Sequence, residues 1–356
     1  MGYNVGDNLA RKNIRMRIST TGLSDAGICF KLFYYRRILR LVPKPEMLPR
    51  AMRLGIWIHA CMECVAWQEP MEPTLDALEE LALRFMPVEE VASIRQQTVE
   101  VMDGYLIHWK GDTFKPILVE KELEVDLGNG DVVTATLDKL AEHNGDLWVV
   151  EIKSTSKIPD ALWRGVDPQT ALQIVAARQA GYDVAGAIFD YLSTKHPAVP
   201  RVKVRENGFY ANTGTTTSWA FDKCVPEVLN SWRGSQQEAT RYLAEQRERL
   251  VRDGEFYQRW TVPRDEGQLQ ETLNDARHTI LHLKLCEKAG YYPRSLNPAR
   301  CKGHSIKCAF ADLDASEYLA GRELVHMRKA DFDIDDGSRE GTVARAMAAA
   351  GREEED

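Results

Sequence analysis

The sequence has no apolar run near the about 20 residues that a membrane-crossing helix needs, so no part of it reads as a span. The first twenty residues are polar and basic with no apolar stretch behind them, which is not the pattern of a secretory signal. Its Met-Gly start lacks the Ser or Thr of a myristoylation signal. The expected compartment is therefore the cytoplasm. Positive charge is not in excess: 46 Lys and Arg face 53 Asp and Glu, a net charge of −7. That argues against a protein that coats nucleic acid by charge alone, but not against an enzyme with a locally focused field. Part of the acidity lies in Asp331, Asp333, Asp335, Asp336 and Glu353 to Asp356, away from any candidate site. Cysteine is sparse. Seven in a chain with no export signal read as thiols or metal ligands, not as a disulfide framework. There is no internal repeat.

What is present is a globular composition, 44% hydrophobic and 28% charged over 356 residues. Residues 1–20 read as an irregular arm. Ser24 is the candidate cap of a helix whose apolar face runs Ile28, Leu32, Tyr35, Leu39. Pro43 to Pro49 break it, and helical patterns resume over 50–68, 74–86 and 88–110. Residues 117–126 (ILVEKELEVD) then alternate apolar and acidic, the period-two signature of a half-buried strand. A turn at Leu127-Gly128-Asn129-Gly130 leads to strands over 132–141 and 147–152, joined through His143-Asn144-Gly145-Asp146. A helix over 168–180, a buried strand over 186–192 and a loop or hairpin over 193–217 follow. Helices are expected over 222–253 and 265–289, then a Pro-, Cys- and basic-rich segment over 291–314. The composition of 328–356 suggests a flexible acidic tail. This order predicts one α/β domain over 21–327, a mixed sheet with helices on its faces. Its catalytic core would lie at about 115–195, and a helical, Cys-containing part at about 222–314.

The chemistry lies in TLDKLAEHNGDLWVVEIKST, residues 136–155. Glu151 and Lys153 are two apart on one strand and so point the same way. A hairpin over 143–146 would bring Asp138 beside Glu151, giving two carboxylates able to hold a hard cation such as Mg²⁺ or Mn²⁺. Lys153 would then orient or deprotonate a water and balance charge on a phosphorane. Taken alone, Glu-X-Lys on a strand is usually a solvated charge pair.

More of the pattern surrounds it. Asp138, twelve residues, then Glu151-Ile152-Lys153 resembles the core of the PD-(D/E)XK nuclease superfamily, and the flanks resemble its RecB-like branch. That branch includes phage exonucleases, the AddB nuclease domain and CRISPR adaptation nucleases. The resemblance implies a restriction-endonuclease-like fold: a mixed central β-sheet flanked by helices, with helical N- and C-terminal embellishments. The branch carries Gly-x-x-x-His-x-x-x-Glu on an upstream helix, matched here by Gly55, His59 and Glu63. His59 would then join Asp138, Glu151 and the Ile152 backbone carbonyl around a metal. An acidic residue precedes the motif Asp in the branch; Glu120, Glu122 and Glu124 all qualify, and Glu122 is the choice. The branch's Gln-x-x-x-Tyr places Gln169 in the site, with Gln173 standing where Tyr is expected. Lys195, Arg201, Lys203 and Arg205 fall in a Pro-rich basic loop of the kind that contacts phosphates.

Members of the branch often hold a 4Fe–4S cluster with one Cys near the N-terminus and three near the C-terminus, ligated as thiolates. Cys29, Cys301 and Cys308 match that pattern, and Asp312 or Asp314 stands where the last Cys belongs. Cys286, outside the pattern, is the candidate fourth ligand. An intact cluster and a packed or zinc-binding remnant both stay open. Cys61 and Cys64 read as buried helix thiols.

The reading is a Mg²⁺- or Mn²⁺-dependent deoxyribonuclease, an exonuclease on single strands or ends in phage or bacterial recombination or repair. DNA is its expected partner, with a recombination or replication protein as a further one. The alternative is a catalytically vestigial DNA-binding accessory protein of replication or recombination. A protein-interaction module with no nucleic-acid role is the third class.

Overall fold

The computed structural model describes residues 15–44, 48–198, 202–203, 208–209, 214–297, 308–314 and 332–334. The chain opens with β1 (Arg17–Ser19), α1 (Thr20–Ile28) and α2 (Phe30–Phe33), then a π-helical turn (Tyr34–Ile38) and β2 (Leu41–Pro43). Next come α3 (Arg50–Trp67), α4 (Glu72–Ala82) and α5 (Val88–His108). The strands β3 (Lys115–Asp126), β4 (Val132–His143) and β5 (Asp146–Thr155) precede α6 (Ala161–Gly165), α7 (Pro168–Gln179) and β6 (Val184–Ser193). After a small hairpin, β7 (Val202–Lys203) with β8 (Gly208–Phe209), the chain forms α8 (Ser218–Asp222), α9 (Val225–Ser231), α10 (Gln236–Leu250) and α11 (Asp253–Phe256). β9 (Tyr257–Pro263), α12 (Glu266–Ala289) and β10 (Phe332–Ile334) complete the described elements.

Six strands build the central sheet in the order β1-β4-β5-β6-β9, with β3 on the other side of β4. The sheet is mixed: β1 runs parallel to β4 and β6 parallel to β5, while β3, β5 and β9 pair antiparallel with their neighbours β4, β4 and β6. Asn144 and Gly145, at φ 54° and 91°, close the β4–β5 hairpin. Two positive φ values in a row suit Asn-Gly better than any other pair. One face of the sheet packs on α1, α7 and α12 through Leu137, Leu140, Val149, Ile174, Ala177 and Ile280. The other face packs on α3, α4 and α5 through Leu54, Ile58, Met102, Ile152 and Leu192. This is the restriction-endonuclease-like architecture that the resemblance implied.

Several local expectations need correction. The helix expected from a Ser24 cap is capped instead by Ser19, whose hydroxyl accepts from Gly22 N–H, because β1 delivers the chain there with Ile18 buried. The helix does not run through to Leu39. Cys29 is extended and ends α1, and the following π turn brings Arg36 and Arg37 back onto buried Asp25. The arm over 1–20 contains β1, and the tail over 328–356 contains β10, which pairs antiparallel with β2. β9 was not expected; its YQRWTVP sits between two strongly helical segments and ends at a proline that suits an edge strand.

Candidate active site

β4 and β5 part company halfway along. They pair only between the turn and Lys139↔Val150. Beyond that point β5 follows β6, while β1 takes the vacated edge of β4 at Val132 to Thr134. Residues 135–138 of β4 are left without a strand neighbour on that edge. Asp138 and Glu151 stand at this fork. Asp138 Oδ2 accepts the Ile152 N–H at 2.7 Å, so a carboxylate replaces the missing rung.

Helix α7 lies across the fork. Its N-terminus is fixed by the Asp167 side chain and by Pro168 in the first turn. Gln169 and Gln173 are one turn apart and share a face. Gln169 Nε2 donates to Glu151 Oε1 at 2.9 Å. Gln173 Nε2 donates to Glu151 Oε2 at 2.8 Å and to the Thr136 carbonyl at 2.9 Å, tying both arms of the fork with one amide. Lys153 donates to Glu151 Oε1 and lies 3.4 Å from Gln169 Oε1. Gln173, which stands where the branch carries Tyr, is fully buried and holds Glu151 together with the Thr136 carbonyl.

On the other side α3 brings His59. It packs close to β5 because Gly55, one turn earlier, has no Cβ: one built there would meet Ser154 Oγ at 3.1 Å. His59, Glu120 and Asp138 offer ligand atoms that all lie within 4.8 Å of one another. Glu120 sits opposite Asp138, between the pairs Val119↔Lys139 and Lys121↔Leu137, at a φ of 49°. Side-chain alternation slips by one there. Val133, Ala135 and Leu137 face the α7 core and so does Leu140; on β3, Leu123 and Val125 face it and so does Leu118. Glu122, the expected upstream acid, points elsewhere and bonds Arg17 at 2.8 Å. No sequence signal marks a glutamate for a left-handed backbone, so Glu120 was not legible as the one that turns inward.

The site has more acid than base. Burial and the Asp138 charge raise the Glu151 pKa against the pull of Lys153. Burial likewise raises Asp138, against its bond from the Ile152 N–H. Glu120 is open to water on one side but crowded on the others, and desolvation with the charges of Asp138, Glu63 and Glu151 pushes it up to about 8. Burial lowers the His59 pKa, leaving a neutral imidazole suited to metal ligation. Desolvation disfavours the Lys153 ammonium too, but Glu151, Asp138 and Asp167 outweigh it and raise its pKa. Crowded carboxylates held against their charge, with a neutral imidazole among them, fit a divalent cation with oxygen and nitrogen donors.

The other expected groups fall into place unevenly. Ile152 meets the site through its N–H. Lys195 is exposed just past β6, its N–H bonded to Ser193 Oγ. Lys203 lies on the backbone of β7, and Arg201 and Arg205 lie outside the described residues. Cys29 and Cys308 flank one small core of Leu32, Tyr35, Leu41, Phe310, Leu313 and Phe332. Cys29 Sγ accepts from Ser295 N–H at 3.3 Å. Cys286 is buried on α12, and Cys301 lies outside the described residues. Asp314 is engaged by Arg294 at 2.7 Å and by Tyr35. Cys61 and Cys64 are buried thiols, and burial pushes Cys61 up to about 12.

The profile of the PD-(D/E)XK nuclease superfamily matches residues 17–259. The chain belongs to that superfamily. Among curated proteins no relative matches it. Membership implies a nuclease that works with divalent metal ions. The match spans β1 through Arg259, and so includes His59, Glu120 and both α7 glutamines. Among the described residues, no helix is long and apolar enough to cross a membrane.

Proposed function

We propose that this protein is a Mg²⁺- or Mn²⁺-dependent deoxyribonuclease of the RecB-like branch, an exonuclease on single strands or ends in phage or bacterial recombination or repair. The observation that carries the reading is the meeting of His59, Glu120 and Asp138 within ligand distance of one another, beside the Glu151–Lys153 pair. Asp138, Glu120 and His59 would hold the ion, with Glu151 and the Ile152 carbonyl alongside. A bound divalent ion supplies Lewis-acid activation of the phosphate and a more acidic attacking water.

The protein's own groups do the rest. Lys153, kept charged by its carboxylate neighbours, orients the water and balances charge as it builds on the phosphate oxygens. Gln169 and Gln173 fix Glu151, so the acid does not reorganise during the reaction. Lys195, exposed just past β6, would contact a phosphate of the bound strand. The same reading keeps a 4Fe–4S cluster that staples the chain ends. With Asp314 committed to Arg294, its ligands would be Cys29, Cys286, Cys301 and Cys308. A broad visible absorbance in anaerobically purified protein tests that part.

Cleavage of labelled single-stranded, blunt-ended and circular DNA, with Mg²⁺, Mn²⁺ or EDTA, tests the whole. Metal-dependent shortening from ends that Lys153→Ala abolishes is expected. DNA binding with no cleavage under any metal would instead favour the accessory-protein alternative.

A further inference from the structure

We infer that α6 is a stacking platform for the bases of a single DNA strand, with Trp163 as the ring on which a base rests. This rests on the nuclease reading above and names how that site takes an unpaired strand. Leu162, Trp163 and Val166 are 70%, 65% and 59% exposed, an apolar group largely open to water. Scattered exposed apolar residues need no explanation, but three within five positions, one of them a tryptophan, do.

The platform is held rigidly from beneath. Arg164 and Arg264 are only 5% and 8% exposed. Arg164 donates to the Pro159 carbonyl at 2.6 Å, and its guanidinium lies 4.2 Å from the centre of the Trp260 ring. Arg264 donates to the carbonyls of Gly165, Arg164 (3.2 Å) and Asp167 (3.0 Å). Asp160 caps the helix. Two buried cations thus fix the backbone of a five-residue helix whose outer side chains are largely exposed. Burying charge is costly, so its use here points to a surface whose shape matters.

Position names the occupant. The platform is the link between Lys153 on β5 and Gln169 on α7, two groups 3.4 Å apart in the site. Parallel pairing of Thr155 with Ser193, and the Thr194 N–H bond to the Thr155 carbonyl at 2.9 Å, bring the ends of β5 and β6 together. Exposed Lys157 and exposed Lys195 follow those two ends. An exposed aromatic on the segment that links two groups of the site, with exposed lysines after the paired strand ends, suits a chain of phosphates carrying unstacked bases. Bases inside a duplex are already stacked on one another and offer no free face.

The test is binding in EDTA, followed by fluorescence anisotropy, of labelled oligothymidine, of the same backbone carrying abasic sites, and of a blunt hairpin duplex. Trp163→Ala is expected to weaken oligothymidine binding by about tenfold or more, the scale of one base stacked on an aromatic ring. Abasic and hairpin binding should not change, and Trp163→Phe should restore most of the affinity. Trp163→Leu keeps apolar bulk without the ring; should Trp163→Ala melt early, Leu against Phe makes the same comparison. Equal loss on abasic DNA, or no loss on oligothymidine, overturns the platform. Metal-dependent cleavage by the unaltered protein is measured alongside. If that cleavage is present while Trp163 variants bind normally, only the platform fails; if the unaltered protein neither binds nor cleaves any DNA, both readings fail.

Discussion

Asp138 and Lys139 are neighbours in sequence, yet they belong to two buried charge clusters of opposite character. Around Asp138 stand Glu120, Glu151 and Glu63, answered by the Lys153 ammonium and, to a smaller extent, by Lys139. Around Lys139 the signs balance. Asp190 accepts from Arg259 at 3.0 Å and from Tyr105 at 2.6 Å, Asp112 pairs with Arg259 at 2.7 Å, and Phe114 lies under the Lys139 ammonium at 4.9 Å. Burial lowers the Lys139 pKa, and Asp190, Asp112 and Asp138 oppose that. A balanced buried network can be a permanent part of a fold. An unbalanced one raises its own carboxylate pKa values, and is stable only with protons or a cation. The two clusters therefore separate structure from function: removing a charge should damage folding in one and chemistry in the other.

The largest effect should be on chemistry. Lys153→Ala and Asp138→Asn should each lower cleavage by about 10²-fold or more, while the metal-free melting temperature of Asp138→Asn holds or rises. A matching loss of stability would erase the contrast. In the balanced cluster Arg259→Ala should cost about 3–5 kcal/mol of unfolding free energy, because Asp190 is left buried without its ion pair; urea titration reads this directly. Gln173→Leu leaves Glu151 Oε2 and the Thr136 carbonyl without a donor and should cost about 1–3 kcal/mol. Its cleavage loss should exceed what the fall in folded fraction explains.

The third effect is with pH. Glu120 has a raised value, about 8 against an ordinary 4.5, so the folded state binds more protons across that window. Its contribution to metal-free stability is fully present below the lower value and is lost as pH rises toward the upper one. A divalent cation replaces the proton, so the rise in melting temperature with Mn²⁺ should be larger at the alkaline end than at the acid end. A gain independent of pH would detach Glu120 from the ion. The smallest effect sharpens the choice between glutamates: Glu122→Gln, in an exposed pair with Arg17, should change stability by no more than about 0.5 kcal/mol and leave Mn²⁺ affinity alone, whereas Glu120→Gln should weaken that affinity.

The same contrast shows what the sequence made legible. That Glu151 and Lys153 share a face was readable from period-two spacing, and Asp138 from the hairpin expected over 143–146, whereas His59 entered only through the resemblance to the nuclease pattern. The sheet's core strands were readable from alternation and apolar runs. Glu120 was not, since its selection depends on a left-handed backbone that slips the alternation of β3 by one. Gln173 was hidden because its partners, Glu151 and the Thr136 carbonyl, are brought together only by the parting of β4 and β5. The balanced cluster was hidden too: Lys139, Asp190, Arg259 and Asp112 lie far apart in the chain and follow no motif. β1, β9 and β10 escaped because short edge strands carry little periodicity.

The most direct test of the acid-excess centre is a calorimetric Mn²⁺ titration of the unaltered protein and of Asp138→Asn. Saturable binding that releases protons, lost or strongly weakened in the variant, is the predicted result. Binding absent from the unaltered protein, or unchanged in Asp138→Asn, would mean these carboxylates are not gathered for a cation.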